Sequence, residues 1–374
     1  MRKKMVIDAN SMVYRTGMTH LPGIGRTTFE LVKALQRIDK LPFDVTIFTQ
    51  TIRGKLAVDS SSFKQVNLPV PPLKQFEWML KKLPLLDILA PHDLLHIPHN
   101  YAAVFNPAKT VITIHDALYF SCPENFLGHE FAREHYPPLA RACRAIITCS
   151  ESSKEDIVTY MDVPAEKVTV APWGVNSSIF YPCDSAQAFG TLAREANINR
   201  PFFVSVSCDR GRKNTITVMR AFKHALKRNI AHDLVLVWGN PPEEYLKELA
   251  PEIEAGRIRI VSHVDDRILR LLYCAATLSW FPSKYEGFGL PVLESMACGT
   301  PVVTCRNSSL TEAGGNAALY VDPDDVPGMA DLMIEFDKGR NGYEKLVDES
   351  LKHASHFTWD RTAEMYAAFY RANL

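Results

Sequence analysis

Hydrophobic positions along the chain follow two alternating periods. Short runs of apolar residues such as Met5–Asp8 are typical of buried strands. Longer stretches with apolar residues three and four apart follow them, and in Thr27–Ile38 the side chains of Leu31 and Leu35 share one helical face. Strands and helices that alternate in this way build parallel sheets with helices on both faces. The pattern therefore predicts an α/β fold with doubly wound parallel sheets.

The alternation runs through both halves of the chain. In the first half it predicts the strands Met5–Asp8, Val45–Phe48, Leu94–Ile97, Val111–Ile114 and Ala145–Cys149, and the helices Thr27–Ile38 and Ser152–Met161. In the second half it predicts the strands Phe202–Ser207, Leu234–Trp238, Ile258–Val261, Thr277–Phe281 and Val302–Cys305, and the helices Thr215–Lys227, Pro242–Leu249, Arg267–Ala275, Val292–Ala297 and Val326–Phe336.

A domain boundary is predicted near residue 180. Residues 181–185 are polar and turn-forming, and a new strand starts after residues 197–201. The two domains, 1–180 and 181–374, are each long enough to bury a core. Doubly wound sheets bind ligands beyond the carboxyl ends of their strands, so a ligand cleft is expected where the two domains face each other.

Composition and charge exclude several classes of protein. Of the 374 residues 47% are hydrophobic and 22% charged, which excludes a disordered chain. The 42 basic residues balance 42 acidic ones, which argues against nucleic acid as a partner. No run is long and apolar enough for a membrane span, and Asp8 falls where a signal peptide needs an apolar core. We therefore expect a cytoplasmic protein.

The cysteines and histidines do not indicate a metal or redox site. The eight cysteines contain no C-x-x-C pair, so we expect reduced thiols that are mostly buried. His129 and His135 lie six residues apart around Glu130, whereas a zinc-binding helical pair needs a spacing of four. The sequence predicts no metal site.

The most informative stretch follows the predicted strand Thr277–Phe281 and opens a helix. Gly287 and Gly289 allow a close approach of the backbone to a ligand, and a helix that starts there directs its N–H groups at an anion. Glu286 precedes the helix and Glu294 lies within it, eight positions later. Two carboxylates so placed can hold the two sides of one bound molecule.

This stretch resembles the E-x7-E signature of the retaining glycosyltransferases of family 4, also called glycosyl transferases group 1, which have the GT-B fold. The likeness extends over almost the whole chain, in order. It includes Asp8 with Gly23-Ile24-Gly25-Arg26, Thr113-Ile114-His115-Asp116, Ala145–Glu151, Val170–Val175, Gly211-Arg212-Lys213-Asn214, Ala297–Val303 and Thr311–Gly315.

The resemblance implies a role for each domain. Residues 1–180 would bind the acceptor and residues 181–374 the nucleotide sugar, and a last helix at about 359–374 can return to the N-terminal domain. Glu294 would hold the ribose hydroxyls of the donor and Glu286 its sugar. Backbone groups would bind the rest of the donor: the phosphate and sugar at Gly287, Phe288, Gly289 and Leu290, and the base at Val264.

Arg212 and Lys213 would neutralise the charge that develops on the diphosphate leaving group, a role that the family assigns to this motif. As exposed charges in a loop after a strand, they are expected to affect turnover more than folding, so that Lys213→Ala leaves the melting temperature unchanged. The chain has Ser207-Cys208 where many relatives have a second arginine or threonine after glycine. Arg210 is the residue that could substitute for that arginine.

Further residues of the N-terminal domain have family counterparts. Gly23 and Gly25 would form a flexible loop that brings backbone N–H groups to the donor phosphates before the helix Thr27–Ile38. His115 would contact the donor sugar, with its backbone carbonyl near the oxocarbenium-like centre; the alternative is a buried structural histidine. His99, beside Asn100 and Tyr101, is a weaker candidate.

Asp322 and Asp324 form D-x-D, the metal–diphosphate signature of another glycosyltransferase fold. They precede the helix Val326–Phe336 and fit a turn with a helix cap, so we expect metal-independent chemistry without a cofactor. Residues 73–83 predict an amphipathic helix that carries Lys74, Trp78, Lys81 and Lys82 on one face. This face suits either peripheral contact with the inner side of a membrane or plain solvent exposure.

The function predicted from the sequence is retaining transfer of a hexose from a nucleotide diphosphate sugar. The acceptor would be a glycan or a lipid-linked glycan in polysaccharide biosynthesis. UDP-glucose is the first choice of donor and GDP-mannose the second. The side chains near Val264 do not show whether the base is uracil or guanine. A sugar-nucleotide-binding protein without catalytic activity and a phosphorylase are the alternatives.

Overall fold

A computed structural model describes residues 2–14, 21, 23–52, 54–57, 62–69, 77–122, 128–207, 211–262, 264–339 and 341–374. The chain divides into two compact units. The N-terminal unit runs to Gly174 and includes Trp359–Leu374, and the C-terminal unit is Val175–Thr358.

The N-terminal unit is built on a parallel sheet of seven strands. They are β1 (Lys3–Asp8), β3 (Phe43–Gln50), β5 (Lys64–Leu68), β6 (Leu94–Ile97), β7 (Thr110–Thr113), β8 (Ala145–Thr148) and β9 (Val168–Val170), and β2 (Val13–Tyr14) pairs with β4 (Lys55–Leu56) in a separate antiparallel ribbon. The order in the large sheet is β5-β3-β1-β6-β7-β8-β9. The strands β6, β7 and β8 are buried along their whole length, as expected for parallel strands covered on both faces.

Helices cover this sheet. They are α1 (Gly23–Arg37), α2 (Glu77–Lys82), α3 (Leu85–Leu89), α4 (Leu118–Ser121), α5 (His129–Ala142), α6 (Glu151–Met161) and, from the end of the chain, α16 (Trp359–Asn373). The hydroxyl oxygen of Tyr370 in α16 is hydrogen-bonded to His96 Nδ1 at 2.8 Å, and His96 Nε2 is hydrogen-bonded to Thr113 Oγ1 at 2.8 Å. This buried chain of polar groups, together with apolar packing on α1, ties the last helix to the N-terminal sheet.

The C-terminal unit has a parallel sheet of six strands. They are β10 (Phe202–Ser207), β11 (Asp233–Trp238), β12 (Ile258–Val261), β13 (Leu278–Phe281), β14 (Val302–Cys305) and β15 (Leu319–Val321), in the order β12-β11-β10-β13-β14-β15. Its helices are α7 (Ser185–Glu195), α8 (Thr215–Leu226), α9 (Glu243–Glu248), α10 (Ala250–Glu254), α11 (Asp266–Ala275), α12 (Leu290–Ala297), α13 (Leu310–Gly314), α14 (Val326–Asp337) and α15 (Tyr343–Ala354).

Each sheet has one point where the strand order reverses. In the N-terminal unit it lies between β1 and β6, and in the C-terminal unit between β10 and β13. Helices on the two sides of such a point leave in opposite directions, so the loops at the carboxyl ends of the two strands part and leave a crevice. These two crevices are where ligand sites are expected.

The predicted strands and helices are confirmed to within a few residues. The sequence did not predict five strands, β2, β4, β5, β9 and β15, or the helices α3, α4, α5, α7, α10, α13 and α15. β5, β9 and β15 lie at or near the sheet edges and are only partly buried, so they lack the continuous apolar run that marks a central strand. The predicted boundary at 180 also differs from the division after Gly174. Val175 N donates to Phe357 O at 2.9 Å and Phe180 packs on Tyr273, which joins residues 175–180 to the C-terminal unit.

Candidate functional site

The sequence-predicted cations and the loop glutamate meet at the crevice of the C-terminal sheet. Arg212 and Lys213 follow β10, and Glu286 follows its parallel neighbour β13. Arg212 Nη1 lies 2.7 Å and Lys213 Nζ 2.8 Å from the same atom, Glu286 Oε1. We call these three residues the charge cluster.

The loops that carry the charge cluster are joined by hydrogen bonds that backbone carbonyl oxygens accept. Lys284 N donates to Arg212 O, and Arg212 Nη1 donates to Tyr285 O, both at 2.8 Å. Ser309 Oγ donates to Glu286 O at 2.7 Å. The Glu286 carboxylate is therefore positioned by its own backbone as well as by its ion pairs.

Burial makes these charges interact strongly. The side chains of Arg212, Lys213 and Glu286 are only 10–11% exposed. Burial raises the pKa of Glu286, but Lys213 and Arg212 outweigh this effect and hold its pKa below the usual range. The expectation that the two cations are exposed loop residues is wrong, because both side chains turn inward onto a buried carboxylate. Two cations and one carboxylate leave a net positive charge that suits an anion.

The predicted helix after the glycines is α12. Gly289 precedes it with φ +103°, and a Cβ there would lie 3.1 Å from Leu310 Cδ2 and 3.3 Å from Ala313 Cβ. The positive φ therefore favours glycine, and the tight space further disfavours a side chain at this position. Pro291 occupies the first turn, as predicted. Glu294 lies in the next turn and is partly exposed, while Phe288 is buried.

Asn214 is a site residue whose role sequence reasoning missed. It is buried, adopts a left-handed φ of +57°, and donates from Nδ2 to Pro282 O at 3.1 Å and Pro323 O at 2.6 Å. Thr217 Oγ1 donates to its Oδ1 at 2.6 Å. Asn214 thus fixes the loop of Arg212 and Lys213 against the loop of Glu286. The sequence did carry a signal for this role. Asn214 directly follows the two cations, and asparagine tolerates a positive φ better than most residues.

Val264 lies in the loop after β12, which is two strands away from β10 in the sheet. It follows β12, the edge strand of the sheet, and precedes Asp265, which caps α11 by accepting a hydrogen bond from Ile268 N at 2.7 Å. Its neighbour His263 lies outside the described residues, as does Arg210, the candidate substitute for a second arginine.

In the N-terminal unit, His115 follows β7 and is buried. Its Nε2 lies 3.1 Å from Pro98 O, and its backbone N donates to Asn100 Oδ1 at 2.8 Å. A carbonyl only accepts, so Nε2 carries the proton and Nδ1 is left as an acceptor. Nδ1 is buried without a hydrogen-bond partner in the described structure. Burial lowers the pKa of His115 to about 4, with His99 acting in the same direction, so the ring is neutral.

The backbone carbonyl of His115 is already engaged. Cys149 Sγ and Ser153 Oγ both donate to it at 3.2 Å. The sequence-based hypothesis placed this carbonyl near the reacting centre. In the structure it instead accepts hydrogen bonds from residues just before and within the first turn of α6. The free functional atom of His115 in this unit is Nδ1, beside the ring of Trp173 at a centroid distance of 5.2 Å.

Gly23 and Gly25 lie inside α1, which begins at Gly23. The prediction of a flexible loop before Thr27 is therefore wrong. Thr27 and Thr28 hydroxyls both donate to Ile24 O, at 3.0 and 2.8 Å, which stabilises this first turn in helical form. The helix start adjoins His115, because Thr27, Thr28 and His115 line one small cavity. The backbone N–H groups of Gly23 and Gly25 therefore belong to the first turn of a helix and not to a loop.

The predicted amphipathic helix at residues 73–83 is described from Glu77 onward, as α2. Lys74 and the side chain of Trp78 lie outside the described residues, whereas Lys81 and Lys82 are exposed at the end of α2. No helix in the described ranges is long and apolar enough to cross a membrane.

The D-x-D residues Asp322 and Asp324 lie in a turn, and the next residue, Asp325, caps a helix. Asp325 caps α14 by accepting from Gly328 N at 2.9 Å, Asp324 N donates to Asp322 Oδ1 at 2.9 Å, and Lys284 Nζ lies 2.7 Å from Asp324 Oδ1. Among the residues that the structure describes, no group of three or more His, Cys, Asp and Glu side chains could hold a metal ion.

Both halves of the chain match known glycosyltransferase families. Residues 22–179 match Glycosyltransferase Family 4, and residues 200–336 match Glycosyl transferases group 1. O-antigen chain mannosyltransferase B of Escherichia coli is 26% identical over 367 residues, which cover 91% of this chain and 93% of that protein.

Solved structures show the same fold. Sucrose-phosphate synthase from Thermosynechococcus elongatus matches with a TM-score of 0.75 at 18% identity, over 99% of both chains. HepE of Anabaena, solved in complex with UDP-glucose, matches with a TM-score of 0.75 at 17% identity, over 100% of both chains. These likenesses confirm the predicted GT-B fold, with one doubly wound parallel sheet in each unit.

Proposed function

Because this chain belongs to the family 4 glycosyltransferases, with a C-terminal half of glycosyl transferases group 1, we propose that it transfers a hexose from a nucleotide diphosphate sugar to a glycan or lipid-linked glycan in polysaccharide biosynthesis. The observation that carries the proposal is the charge cluster at the crevice of the C-terminal sheet. Glu286, Arg212 and Lys213 are held there by hydrogen bonds between two loops that parallel strands bring together.

Mannose is the hexose that we favour. The sequence alone placed UDP-glucose before GDP-mannose, without a side chain that separates the two. The relative that covers nine-tenths of this chain is named an O-antigen chain mannosyltransferase, which favours GDP-mannose. A complex of HepE with UDP-glucose keeps UDP-glucose as the second candidate.

The leaving diphosphate would be stabilised by Arg212, Lys213 and the N-terminus of α12. Negative charge grows on the phosphate as the glycosidic bond breaks, so fixed cations stabilise the transition state more than the ground state. The partial positive charge of the helix N-terminus acts in the same sense, through the backbone at Gly287, Gly289 and Leu290. Because residues of the chain would supply this positive charge, stabilisation of the leaving diphosphate would not require a metal ion.

Recognition of the donor would use carboxylates and a neutral imidazole. Glu294 projects from α12 and would accept hydrogen bonds from the ribose hydroxyls, and Glu286 from the sugar. His115 Nδ1, buried and without a partner in the described structure, would accept a bond from a sugar hydroxyl. Because this nitrogen accepts, the neutral ring is the competent form.

We propose that the transfer retains the anomeric configuration. The acceptor hydroxyl would attack on the face from which the phosphate leaves, and the leaving phosphate oxygen would take the acceptor proton. This route requires no enzymatic nucleophile. Proton NMR of the first product formed tests it: an α-glycoside from an α-linked donor is expected, whereas a β-glycoside would show inversion and contradict this part of the proposal.

A screen of donors is the experiment that tests the function as a whole. The protein is incubated with GDP-mannose, UDP-glucose and other nucleotide sugars, each with a mixture of glycan acceptors, and products are detected by mass spectrometry. Transfer from one donor supports the proposal. Tight nucleotide binding with neither transfer nor donor hydrolysis would instead support a binding protein without catalytic activity.

The exposed end of α2 supports a proposal of peripheral membrane contact. Lys81 and Lys82 are exposed, and so are the neighbouring apolar residues Leu83, Ile88 and Leu89. A basic and apolar surface of this kind binds anionic lipid. Flotation with phosphatidylglycerol vesicles tests it: Lys81→Glu with Lys82→Glu should abolish binding, whereas Lys345→Glu, at an exposed lysine of the C-terminal unit, should not. A cytoplasmic location at the inner face of a membrane stays a prediction.

A further inference from the structure

Three cysteine side chains of the C-terminal unit meet at the end of α11. Cys274 lies in the last turn of α11, Cys298 follows α12, and Cys183 directly precedes Asp184, the N-cap of α7. The thiol of Cys274 is hydrogen-bonded to the thiols of both Cys183 and Cys298. We call these three cysteines the thiol cluster. They are far apart in the sequence and form no C-x-x-C motif, so it is the fold that brings them together.

The hydrogen bonds within the thiol cluster favour ionisation of Cys274. Bonds from the Cys298 thiol, the Cys183 thiol and the Cys183 backbone N–H outweigh burial and lower the pKa of Cys274. As a thiol, Cys274 instead donates to Tyr181 O at 3.6 Å, and S–H is a weak donor. The bonds that a thiolate accepts outweigh this one, so Cys274 is the anionic member of the cluster. By contrast, burial raises the pKa of Cys143, in the N-terminal unit, to about 11.

A cation beside the thiol cluster acts in the same direction. Arg270 precedes Cys274 by one turn of α11, and its positive charge further lowers the pKa of Cys274. The Arg270 guanidinium packs over the Tyr181 ring, 4.1 Å from the ring centroid, and its Nη1 is buried without a hydrogen-bond partner in the described structure. Electropositive and partly enclosed surroundings of this kind are typical of reactive cysteines.

Solvent reaches the thiol cluster from the side of Cys183. Cys183 is partly exposed and follows the exposed Tyr181 by two residues, whereas Cys274 is 7% and Cys298 4% exposed. This access admits a molecule as small as hydrogen peroxide more readily than a bulky reagent. Cys183 lies outside the helices, so its side chain can move towards Cys274. Cys298 is held at the end of α12, where its backbone N donates to Glu294 O at 3.2 Å.

The protonation of the thiol cluster suits a redox reaction better than a metal ion. Burial and the bond to Cys274 raise the pKa of Cys183, and the bond to Cys274 and burial raise that of Cys298. Both therefore stay protonated, whereas a metal ion binds thiolates. Within the described ranges, moreover, no group of three or more His, Cys, Asp and Glu side chains could hold a metal ion. One thiolate next to a partly exposed thiol is instead the arrangement of a redox-active pair.

We infer that Cys274 is a peroxide-reactive cysteine and that Cys183 reacts with its oxidation product to form a reversible Cys183–Cys274 disulfide. The Cys274 thiolate attacks one oxygen of hydrogen peroxide. The S–O bond forms as the O–O bond breaks, and the released hydroxide takes a proton from solvent. The Cys183 sulfur then attacks the sulfur of this sulfenic acid, and its proton leaves with the departing hydroxide as water. Two thiols are thus oxidised while one peroxide is reduced to two water molecules.

Peptide mass spectrometry on the full chain tests the inference. The protein is treated with hydrogen peroxide, blocked with N-ethylmaleimide and digested with trypsin, which places the three cysteines of the thiol cluster in three different peptides. A peptide pair joined through Cys183 and Cys274 is expected, and dithiothreitol should separate it. Cys183→Ser should abolish this pair and leave Cys274 to be oxidised further, to sulfinic acid. The control is Cys122→Ser, at a partly exposed cysteine of the N-terminal unit, which should leave the cross-link unchanged.

Cys298 is a positioning residue in this reaction, because it acts through the ionisation of Cys274. Cys298→Ala removes a hydrogen-bond donor to the thiolate and should slow formation of the cross-link about tenfold or more at pH 7, since less of Cys274 is then ionised. Cys298→Ser keeps a donor and should restore most of the rate. A purely structural role of Cys298 would not produce this rescue, and thermal melting of both variants shows whether they are folded.

The inference is overturned if peroxide leaves Cys274 as fully reduced as Cys143, if the cross-link joins Cys274 to Cys298 or joins two chains, or if Cys298→Ala reacts at the rate of the unmodified protein. The proposed function is tested separately, by the donor screen run with dithiothreitol present. Transfer without a peroxide-induced cross-link would remove the redox site and leave the proposed function. A cross-link in a protein that transfers no sugar would do the opposite.

Discussion

Glu286 Oε1 lies 2.7 Å from Arg212 Nη1 although the two residues come from loops after different strands. Lys213 Nζ reaches the same oxygen from 2.8 Å, so one buried carboxylate neutralises part of the charge of two cations. The protein thereby keeps a positive site in place before an anion arrives. Positive charge that is fixed in advance need not reorganise during the reaction, which is the basis of electrostatic catalysis.

Replacing Glu286 by alanine should destabilise the protein strongly. Loss of one partner from a buried ion pair leaves uncompensated charge and costs about 3–5 kcal/mol. The matched control is Glu248→Ala, since Glu248 pairs with Arg220 at 2.6 Å on the exposed surface and such pairs contribute about 0–1 kcal/mol. Urea unfolding of both variants measures the difference, and equal losses would show that the charge cluster is not buried in solution.

Lys213→Ala should lower kcat/KM about 100-fold or more. A cation opposite a developing phosphate charge is worth about 2.7–4 kcal/mol, by analogy with oxyanion donors. Because the Lys213 side chain is 10% exposed and paired, we also expect a lower melting temperature, which replaces the expectation of an unchanged one. Kinetics and melting are measured on one preparation. Near-normal turnover in a variant that melts early would make Lys213 a structural residue alone.

Glu294→Gln should weaken nucleotide binding about 10- to 100-fold while leaving the fold intact. A hydrogen bond to a charged group contributes about 1.5–3 kcal/mol, and Glu294 is partly exposed on α12 rather than packed in the core. Calorimetry with GDP and UDP measures the affinity. Glu244→Gln, at an exposed position of α9, is the control, and equal affinity in the two variants would remove Glu294 from the ribose site.

Transfer should continue in the presence of EDTA. In the proposed function, Arg212, Lys213 and the N-terminus of α12 would supply the positive charge that metal-dependent glycosyltransferases take from a metal ion. Initial rates are compared before and after EDTA, and then with magnesium or manganese added back. A loss that only one of these metals restores would contradict the proposal, and Asp322 and Asp324 would then be the first residues to substitute.

Stability should fall as the pH drops from 7 to 5, and His115 should contribute to the fall. Burial lowers its pKa to about 4, below the value of about 6.5 in an unfolded chain. Between these values the unfolded state binds more protons, so acid favours unfolding; the contribution is fully present above pH 6.5 and is lost as the pH falls towards 4. His115→Gln should reduce the pH dependence by about 2 kcal/mol over this interval.

Urea unfolding at pH 7 and pH 5 provides the measurement. The exposed His356 is the control position, and His356→Gln should leave the dependence unchanged. The dependence of the unmodified protein also includes His96, whose pKa burial lowers to about 3. If His115→Gln retained the full pH dependence, His115 would not be a buried neutral ring, and its assignment as a hydrogen-bond acceptor would be wrong.

The sequence by itself determined the α/β architecture and the order of the motifs. Strands such as β10 and β13 and the helix α12 could be predicted because their apolar periods and their glycine and proline signals are local. The resemblance carried by Glu286, Glu294, Arg212 and Lys213 identified the family for the same reason. What the local pattern marks poorly is an edge strand such as β15, whose residues are only partly buried.

Only the tertiary structure decided which polar groups are buried and what they pair with. Arg212 and Glu286 are far apart in sequence and meet because β10 and β13 are neighbours in the sheet. The partner of His115 Nε2 is a backbone carbonyl at Pro98, which no sequence pattern marks, and this bond selects Nδ1 as the acceptor. A cavity at the carboxyl ends of the N-terminal strands likewise depends on strand order, because Asp8, Gln50 and His99 come from the adjacent strands β1, β3 and β6 or the loop that follows. Burial and hydrogen bonding are properties of residues brought together by the fold, and a one-dimensional pattern specifies them only indirectly.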